Sequence, residues 1–293
     1  MLQLSGENAF ISGGASGIGL AIAKALAREG VRIGIGDIDA AALERAAGEL
    51  RARNATVHAV KLDVADPASW AAAVEVTEAV IGPVRILCNN AGVGPVRADT
   101  TDTPAQDWDW VLRINLGGVF LGTQAFGGRM KAAARGGAIV NTASILGLFP
   151  SAGFPAYVAS KFAVVGLSEA MRIELAPHGI SVAVLCPGFV RTPLRETSQR
   201  FRPSTAAGSP APASDRPSAM EPDAIGAMVV EAIRDGRLYI FPHPEYRDVI
   251  EDRMARVLAG FGASAQPDYG EDVATLGGDS LGLSRALGVV SEG

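Results

Sequence analysis

Short apolar runs and longer amphipathic stretches alternate along the chain as far as the Pro187-Gly188 pair. ENAFISGG, VRIGIGD, TVHAVKLDV, VRILCNNAG, GGAIVNTAS and ISVAVLCPG are rich in Val, Ile and Ala and are bounded by Gly, Asn, Asp or Pro. Continuous apolar runs of this kind read as strands buried on both faces. Between them, GIGLAIAKALAREG, DAAALERAAGELRAR, ASWAAAVEVTEAVIG and VASKFAVVGLSEAMRIEL read as helices. Further on, EPDAIGAMVVEAIRDG reads as a helix, RLYIFP as a seventh strand and EYRDVIEDRMARVLAGF as a last helix. Such alternation predicts an α/β fold: a doubly wound parallel sheet of about seven strands, helices on both faces, in a single domain. Right-handed crossovers with a reversal after the third strand give the order 3-2-1-4-5-6.

Two segments depart from the rhythm. PAQDWDWVLRINLGGVFLGTQAFGGRMKAAA reads as one long helix, but Asn115 and Gly117-Gly118 are poor helix formers, so a kink is predicted there. FVRTPLRETSQRFRPSTAAGSPAPASDRPSAM shows little periodicity and many Pro, Ser and Ala residues. A loop of that length in a compact domain is usually a lid or a disordered segment. The expected organisation is a catalytic domain over 1–262, with a substrate lid at 191–220 that orders over the pocket when ligand binds. A weakly patterned tail over 263–293 is expected to be partly disordered.

A doubly wound sheet binds ligands along the carboxyl ends of its strands. Gly13, Asp37, Asp63, Asn89, Ser144 and Pro187 all fall at such ends. Gly13, Ser16, Gly17, Ile18 and Gly19 form a glycine-rich turn opening the first helix, where free N–H groups and the helix dipole favour a pyrophosphate. Asp37 ends the second strand, where a carboxylate accepts hydrogen bonds from ribose hydroxyls and repels a 2′-phosphate. Ile38 follows it rather than a cation, so the pattern favours NAD over NADP. Asp37 could instead cap the next helix, but Asp39 is better placed for that. The small residues Asn90, Ala91 and Gly92 after strand four let the backbone pass close to a cofactor.

Tyr157 and Lys161 lie four apart on a predicted helix, which places phenol and ammonium on one face. A free tyrosine has a pKa of roughly 10, and a neighbouring cation lowers it. Ser144, closing an apolar run, supplies a hydroxyl to hold a substrate oxygen beside the phenol. Together they make a device for moving a proton on and off that oxygen.

The remaining chemistry is excluded by composition. A net charge of −5 leaves no basic footprint for nucleic acid. No apolar run approaches the length of a membrane span, and the N-terminus lacks the basic region of a signal peptide, so a cytoplasmic protein is expected. Cys88 and Cys186 lie in apolar strand-like runs, with strand five expected between them, which keeps them too far apart for a disulfide. His58, His178 and His243 are scattered, and no catalytic metal is expected.

With these residues in place, roughly residues 5–245 resemble the short-chain dehydrogenase/reductases of the compact, single-domain Rossmann type. The matching pieces are SGGASGIG at 12–19, Asp63-Val64, NNAG at 89–92, Asn115, Ser144, Tyr157 with Lys161, and Pro187-Gly188 with Thr192. Ser12 stands where threonine is usual and keeps the hydroxyl. The resemblance implies Tyr157 as acid/base, Ser144 orienting substrate, and Lys161 lowering the tyrosine pKa and binding the nicotinamide ribose. It implies Asn115 beside a proton-relay water, Asp63 and Val64 near adenine, and Pro187, Gly188, Val190 and Thr192 at the nicotinamide. INLGGVF, LYIFPHPEYR and the last helix are similar to the benzylic-alcohol (Cα) dehydrogenases of lignin aryl-ether breakdown. LGGDSL at 276–281 mimics a carrier-protein attachment motif, but too little chain follows it for a carrier domain.

The reading is therefore an NAD-dependent oxidoreductase interconverting a bulky, aromatic or apolar secondary alcohol and its ketone. Val93, Pro95, Leu146, Phe149, Phe154, Phe189 and Leu194, together with Pro150, are the candidate pocket walls. The alternatives are an NAD-sensing regulator on the same fold and an epimerase or dehydratase of the wider family. Apolar residues Leu116, Val119, Phe120, Phe126, Phe162, Val165, Leu167 and Met171 exceed what one sheet face needs, and predict a homodimer or homotetramer.

Overall fold

The computed structural model describes residues 2–203 and 219–262. Residues 204–218 of the expected lid and the whole 263–293 tail, with its LGGDSL motif, lie outside the described residues.

Seven parallel strands form one sheet in the order β3-β2-β1-β4-β5-β6-β7. They are β1 Asn8–Ser12, β2 Arg32–Asp37, β3 Val57–Lys61, β4 Ile86–Asn89, β5 Gly137–Thr142, β6 Ile180–Leu185 and β7 Tyr239–Ile240. The reversal after β3 falls where predicted, and β7 extends the order beside β6. β1 and β4 are buried at every position, which is why they appear in the sequence as uninterrupted apolar runs. β5 separates Cys88 from Cys186, and both thiols are free and buried.

The helices are α1 Gly17–Arg28, α2 Ala40–Arg51, α3 Pro67–Ile81, α4 Ala105–Leu112, α5 Gly118–Gly122, α6 Gly128–Ala133, α7 Pro155–Leu175, α8 Leu194–Phe201, α9 Pro222–Asp235 and α10 Arg247–Ala259. Apolar residues of α1, α2 and α9 cover one face of the sheet, where Ile22, Leu26, Leu50, Ile225 and Val229 meet Ile11, Ile33 and Ile35. On the other face Trp70, Phe126 and Val164 pack against Phe10, Ile139 and Val182, and the Phe10 and Phe126 rings stack 4.5 Å apart. Each fully buried large side chain contributes about 1.5–3 kcal/mol, so the two layers hold the strand ends in register.

The structure departs from the sequence reading in three places. Where a kink was expected, the long helix widens into π turns at Arg113–Gly117 and Thr123–Gly127, between α4, α5 and α6. The start of the supposed lid is a regular helix, α8, whose Leu194, Thr197, Ser198 and Phe201 fall at helical spacing. Val119, Phe126, Val165 and Met171 belong to the core rather than to an outward face, while Phe120 remains 51% exposed and Leu116, Phe162 and Leu167 are partly buried. The last segment is a helix as read, α10, and it buries none of its residues, leaving Val249, Met254, Val257 and Leu258 exposed.

Candidate active site

The carboxyl ends of the strands open into one cleft of about 1220 Å³, large enough for a dinucleotide and a further ligand. Every residue assigned above to a cofactor lines it except Gly19, and so do all seven assigned to the pocket walls in the first rank. Pro150 lies instead in a smaller hollow against α10. Gly19 sits beneath the turn: a Cβ there would stand 2.1 Å from the Gly13 carbonyl oxygen, so only glycine lets α1 pack that close.

Ser12 closes β1 and stitches it to β4, its hydroxyl accepting from the N–H groups of Asn90 at 3.0 Å and Ala91 at 3.2 Å. Asn90 returns the link by donating to the carbonyls of Ser12 and Gly13, both at 3.2 Å. Ser16 is the N-cap of α1 but makes no side-chain cap, so the first-turn N–H groups are left for an outside acceptor. At the end of β2, Asp37 accepts from Ala15 N–H at 3.2 Å and Asp39 N–H at 3.0 Å. Burial raises its pKa while those two N–H groups pull it down. Asp39 caps α2, accepting from Ala41 and Ala42, and its pKa is lowered by the Ala42 N–H first and then by Arg200.

Ser144 extends the end of β5, where its hydroxyl accepts from Leu146 N–H at 3.2 Å and lies 3.5 Å from the Pro187 carbonyl. Pro155 starts α7 and brings Tyr157 into the first turn, facing Ser144. Lys161 is buried one turn on, its Nζ donating to the Thr142 carbonyl at 3.0 Å and standing 5.5 Å from the Tyr157 ring centre. Burial pushes the lysine pKa down to about 8. It pushes the Tyr157 phenol up, and the hydrogen bond with Ser144 opposes it. The expected lowering of the phenol by the ammonium is thus not what governs the protein by itself. Desolvation acts on both groups and holds both nearer neutrality.

Asn115, in the first π turn, does not line the cleft. Its Oδ1 accepts from Val93 N–H at 2.7 Å, and its Nδ2 donates to the Val93 carbonyl at 3.1 Å and Ser160 Oγ at 3.2 Å. Both amide protons are therefore committed to holding the strand-four turn against α7.

Several lining residues went unassigned in the sequence. α8 lies across the mouth of the cleft: Gly94 N–H donates to Ser198 Oγ at 2.8 Å, Arg200 pairs with Asp39, and Arg202 grips the buried Asp107 of α4 with two nitrogens. Trp110, Arg113 and Tyr246 also line it. The i, i+3, i+4, i+7 pattern of LRETSQRF was the available signal for α8. Nothing local marks the arginine partners, which lie far away in sequence.

Residues 7–203 match the family model described as short chain dehydrogenase. The chain belongs to the short-chain dehydrogenase family. A C alpha-dehydrogenase from Sphingobium sp. strain SYK-6 is 34% identical over 271 residues, covering 88% of this chain and 87% of that protein. A 3-alpha-(or 20-beta)-hydroxysteroid dehydrogenase from Mycobacterium bovis is 39% identical over 194 residues, covering 66% and 73%. The crystal structure of a short chain dehydrogenase/reductase from Burkholderia phymatum in complex with NAD has a TM-score of 0.83 at 31% identity, covering 91% of this chain and 99% of that one. This short-chain dehydrogenase thus shares a fold and family with oxidoreductases. Among the described residues, no helix is long and apolar enough to cross a membrane, and no cluster of His, Cys, Asp and Glu could hold a metal ion.

Proposed function

We propose that this chain is an NAD-dependent oxidoreductase that interconverts a bulky, apolar or aromatic secondary alcohol and its ketone. The observation that carries the reading is the convergence of Ser144, Tyr157 and Lys161 on one cleft beside an uncapped helix N-terminus and a strand-end aspartate. The cradle fits a dinucleotide: the α1 N–H groups suit a pyrophosphate, and Asp37 retains lone pairs for ribose hydroxyls. The relative solved with NAD supports that choice of cofactor. The C alpha-dehydrogenase and hydroxysteroid relatives support a bulky alcohol.

When bound, nicotinamide supplies the hydride acceptor, or in reduction the donor. Ser144 donates to the substrate oxygen and holds it beside Tyr157. In oxidation the Tyr157 oxygen takes the hydroxyl proton as the carbon–hydrogen bond gives up its hydride, and in reduction it returns that proton. Burial opposes phenolate at Tyr157, and a cationic nicotinamide held in the cleft would offset that cost. The Lys161 ammonium, fixed on Thr142, supports the same charge. Asn115 acts through Val93, keeping that wall of the cleft in place. Leu146, Phe149, Phe154, Phe189, Leu194 and Tyr246 give the substrate an apolar, largely aromatic surround.

A panel of benzylic and other bulky secondary alcohols with NAD, followed at the nicotinamide absorbance, tests the reading. Net reduction of NAD is expected. NAD binding without turnover of any alcohol or ketone would instead establish a sensor. A homodimer or homotetramer packed on Phe120, Leu116, Phe162 and Leu167 belongs to the same proposal, and light scattering showing a 30.1 kDa particle would overturn it.

A further inference from the structure

His243 stands outside the cleft, in the segment between β7 and α10, and only 7% of it is exposed. Both of its ring nitrogens are spent on the backbone that follows β6. Nδ1 accepts from Gly188 N–H at 3.0 Å, and Nε2 lies 3.1 Å from the Phe189 carbonyl. An amide N–H can only donate, so Nδ1 carries no proton; Nε2 must then carry it and donates to Phe189. The ring is thereby fixed as one neutral tautomer gripping two successive residues.

The packing is as tight as the hydrogen bonding. A Cβ on Gly188 would stand 2.8 Å from Tyr246 Cε2 and 3.0 Å from His243 Cγ, so the turn fits these two rings only because residue 188 is glycine. Tyr246 in turn stacks on Phe149, ring centres 5.7 Å apart, and both rings line the cleft. On its other side the gripped turn meets Ser144. The Pro187 carbonyl accepts from Ile145 N–H at 2.9 Å and stands 3.5 Å from Ser144 Oγ. The Phe189 carbonyl also accepts from Met220 N–H at 3.0 Å, so His243 is the side chain, beside that backbone bond, that braces Pro187, Gly188 and Phe189 next to Ser144.

We propose that His243 is a positioning residue: through Gly188 and Phe189 it aligns the Pro187 carbonyl with Ser144 and seats the Tyr246–Phe149 shelf that receives the substrate ring. The inference rests on the oxidoreductase reading for its effect on turnover, but its geometry can be tested without it. In the full chain without cofactor, the ¹⁵N spectrum of the imidazoles should show His243 protonated at Nε2 and hydrogen-bonded at Nδ1. With three histidines in the chain, His243→Asn removes one set of signals and assigns it. An Nδ1–H tautomer, or averaging between the two, overturns the proposal outright.

His243→Phe keeps the ring and deletes both bonds. His243→Asn keeps an acceptor where Nδ1 stands. For the phenylalanine variant we expect kcat to fall at least tenfold, NAD to bind several-fold more weakly by calorimetry, and the Gly188 amide to exchange faster. The asparagine variant should recover most of each. Wild-type kcat, NAD affinity and Gly188 exchange in a folded His243→Phe protein would overturn the proposal, as would equal losses in both variants that track only their melting temperatures. If His243→Phe does not fold, the tautomer and His243→Asn decide. If the wild type turns over no alcohol, the functional reading fails, while the tautomer and the Gly188 exchange still judge His243.

Discussion

The two sides of the cleft are built from different materials. The β1–α1–β2 side presents backbone, glycines and uncapped N–H groups, braced by the uncharged side chains of Ser12 and Asn90 between strand ends. The α8 side is held by side chains: Arg200 on Asp39, Arg202 on Asp107, Ser198 beneath Gly94. Backbone surfaces change little with pH or salt and tolerate no added atoms. Side-chain clasps tolerate substitution but answer to ionic conditions. The difference teaches that the glycine-turn side of the cleft is preorganised, whereas the α8 side is held by contacts that ionic conditions can loosen.

The largest effect is expected where the two sides meet. Tyr157→Phe removes only the phenol, so turnover should drop by about 10²–10⁴-fold while NAD affinity and melting temperature stay near wild type. Retained activity above a few per cent sinks the assignment.

On the backbone side, Gly19→Ala drives a methyl into the Gly13 carbonyl. We expect about 1–3 kcal/mol of lost stability and strongly weakened NAD binding, read by urea denaturation and calorimetry. A neutral outcome would show that the turn is looser than its contacts imply. On the clasp side, Asp107→Asn removes the charge from a carboxylate that is almost wholly buried against Arg202. A loss of about 1–3 kcal/mol is expected, with a raised KM and readier proteolysis between Arg191 and Pro203. Unchanged cleavage would detach α8 from any covering role.

Lys161 gives a pH signature. Its native pKa is lowered to about 8 from an ordinary 10.5, so between those values the unfolded lysine keeps a proton that the native one has released. The unfolded state then binds more protons, and the cofactor-free protein should gain stability as pH rises from about 8 toward 10. Lys161→Met should remove that slope; a slope that persists belongs to other groups. The smallest effect is expected for Asp39→Ala. It releases the exposed Arg200 guanidinium from Asp39, whose N–H bonds Asp37, and discrimination against NADP should relax by a few-fold, less than for Asp37→Ala. No change in the NAD/NADP ratio would place Arg200 away from the ribose.

What could be read from the sequence follows the same division. Strands and glycine turns are legible because every residue of such an element answers to one local rule: bury both faces, or leave out the Cβ. Ser144, Tyr157 and Lys161 were legible as spacing and strand-end position. α8 was hidden because its amphipathic octet sits inside a stretch rich in Pro, Ser and Ala. The Arg202–Asp107 pair spans 95 residues and the His243–Gly188 bond 55, distances at which no window of sequence carries a signal. Val119, Phe126, Val165 and Met171 misled for another reason. Apolar residues on a long helix do not reveal whether they face the sheet or a partner, and here they face the sheet.

The strand order carries a consequence for how the chain is born. β1 lies between β2 and β4, yet β4 is synthesised much later, and the Asn8–Pro83 bond joins residues 75 apart. As the chain emerges from the ribosome, β1, β2 and β3 can assemble while the other edge of β1, whose NAFIS is buried throughout in the finished fold, still lacks its neighbour. An open apolar strand edge is a template for pairing with another nascent chain. Long-range parallel pairing is also slow to form. Substitutions of the β4 residues that face away from the cleft should therefore surface first as inclusion bodies and low yield, with the fraction that does close keeping near wild-type kcat.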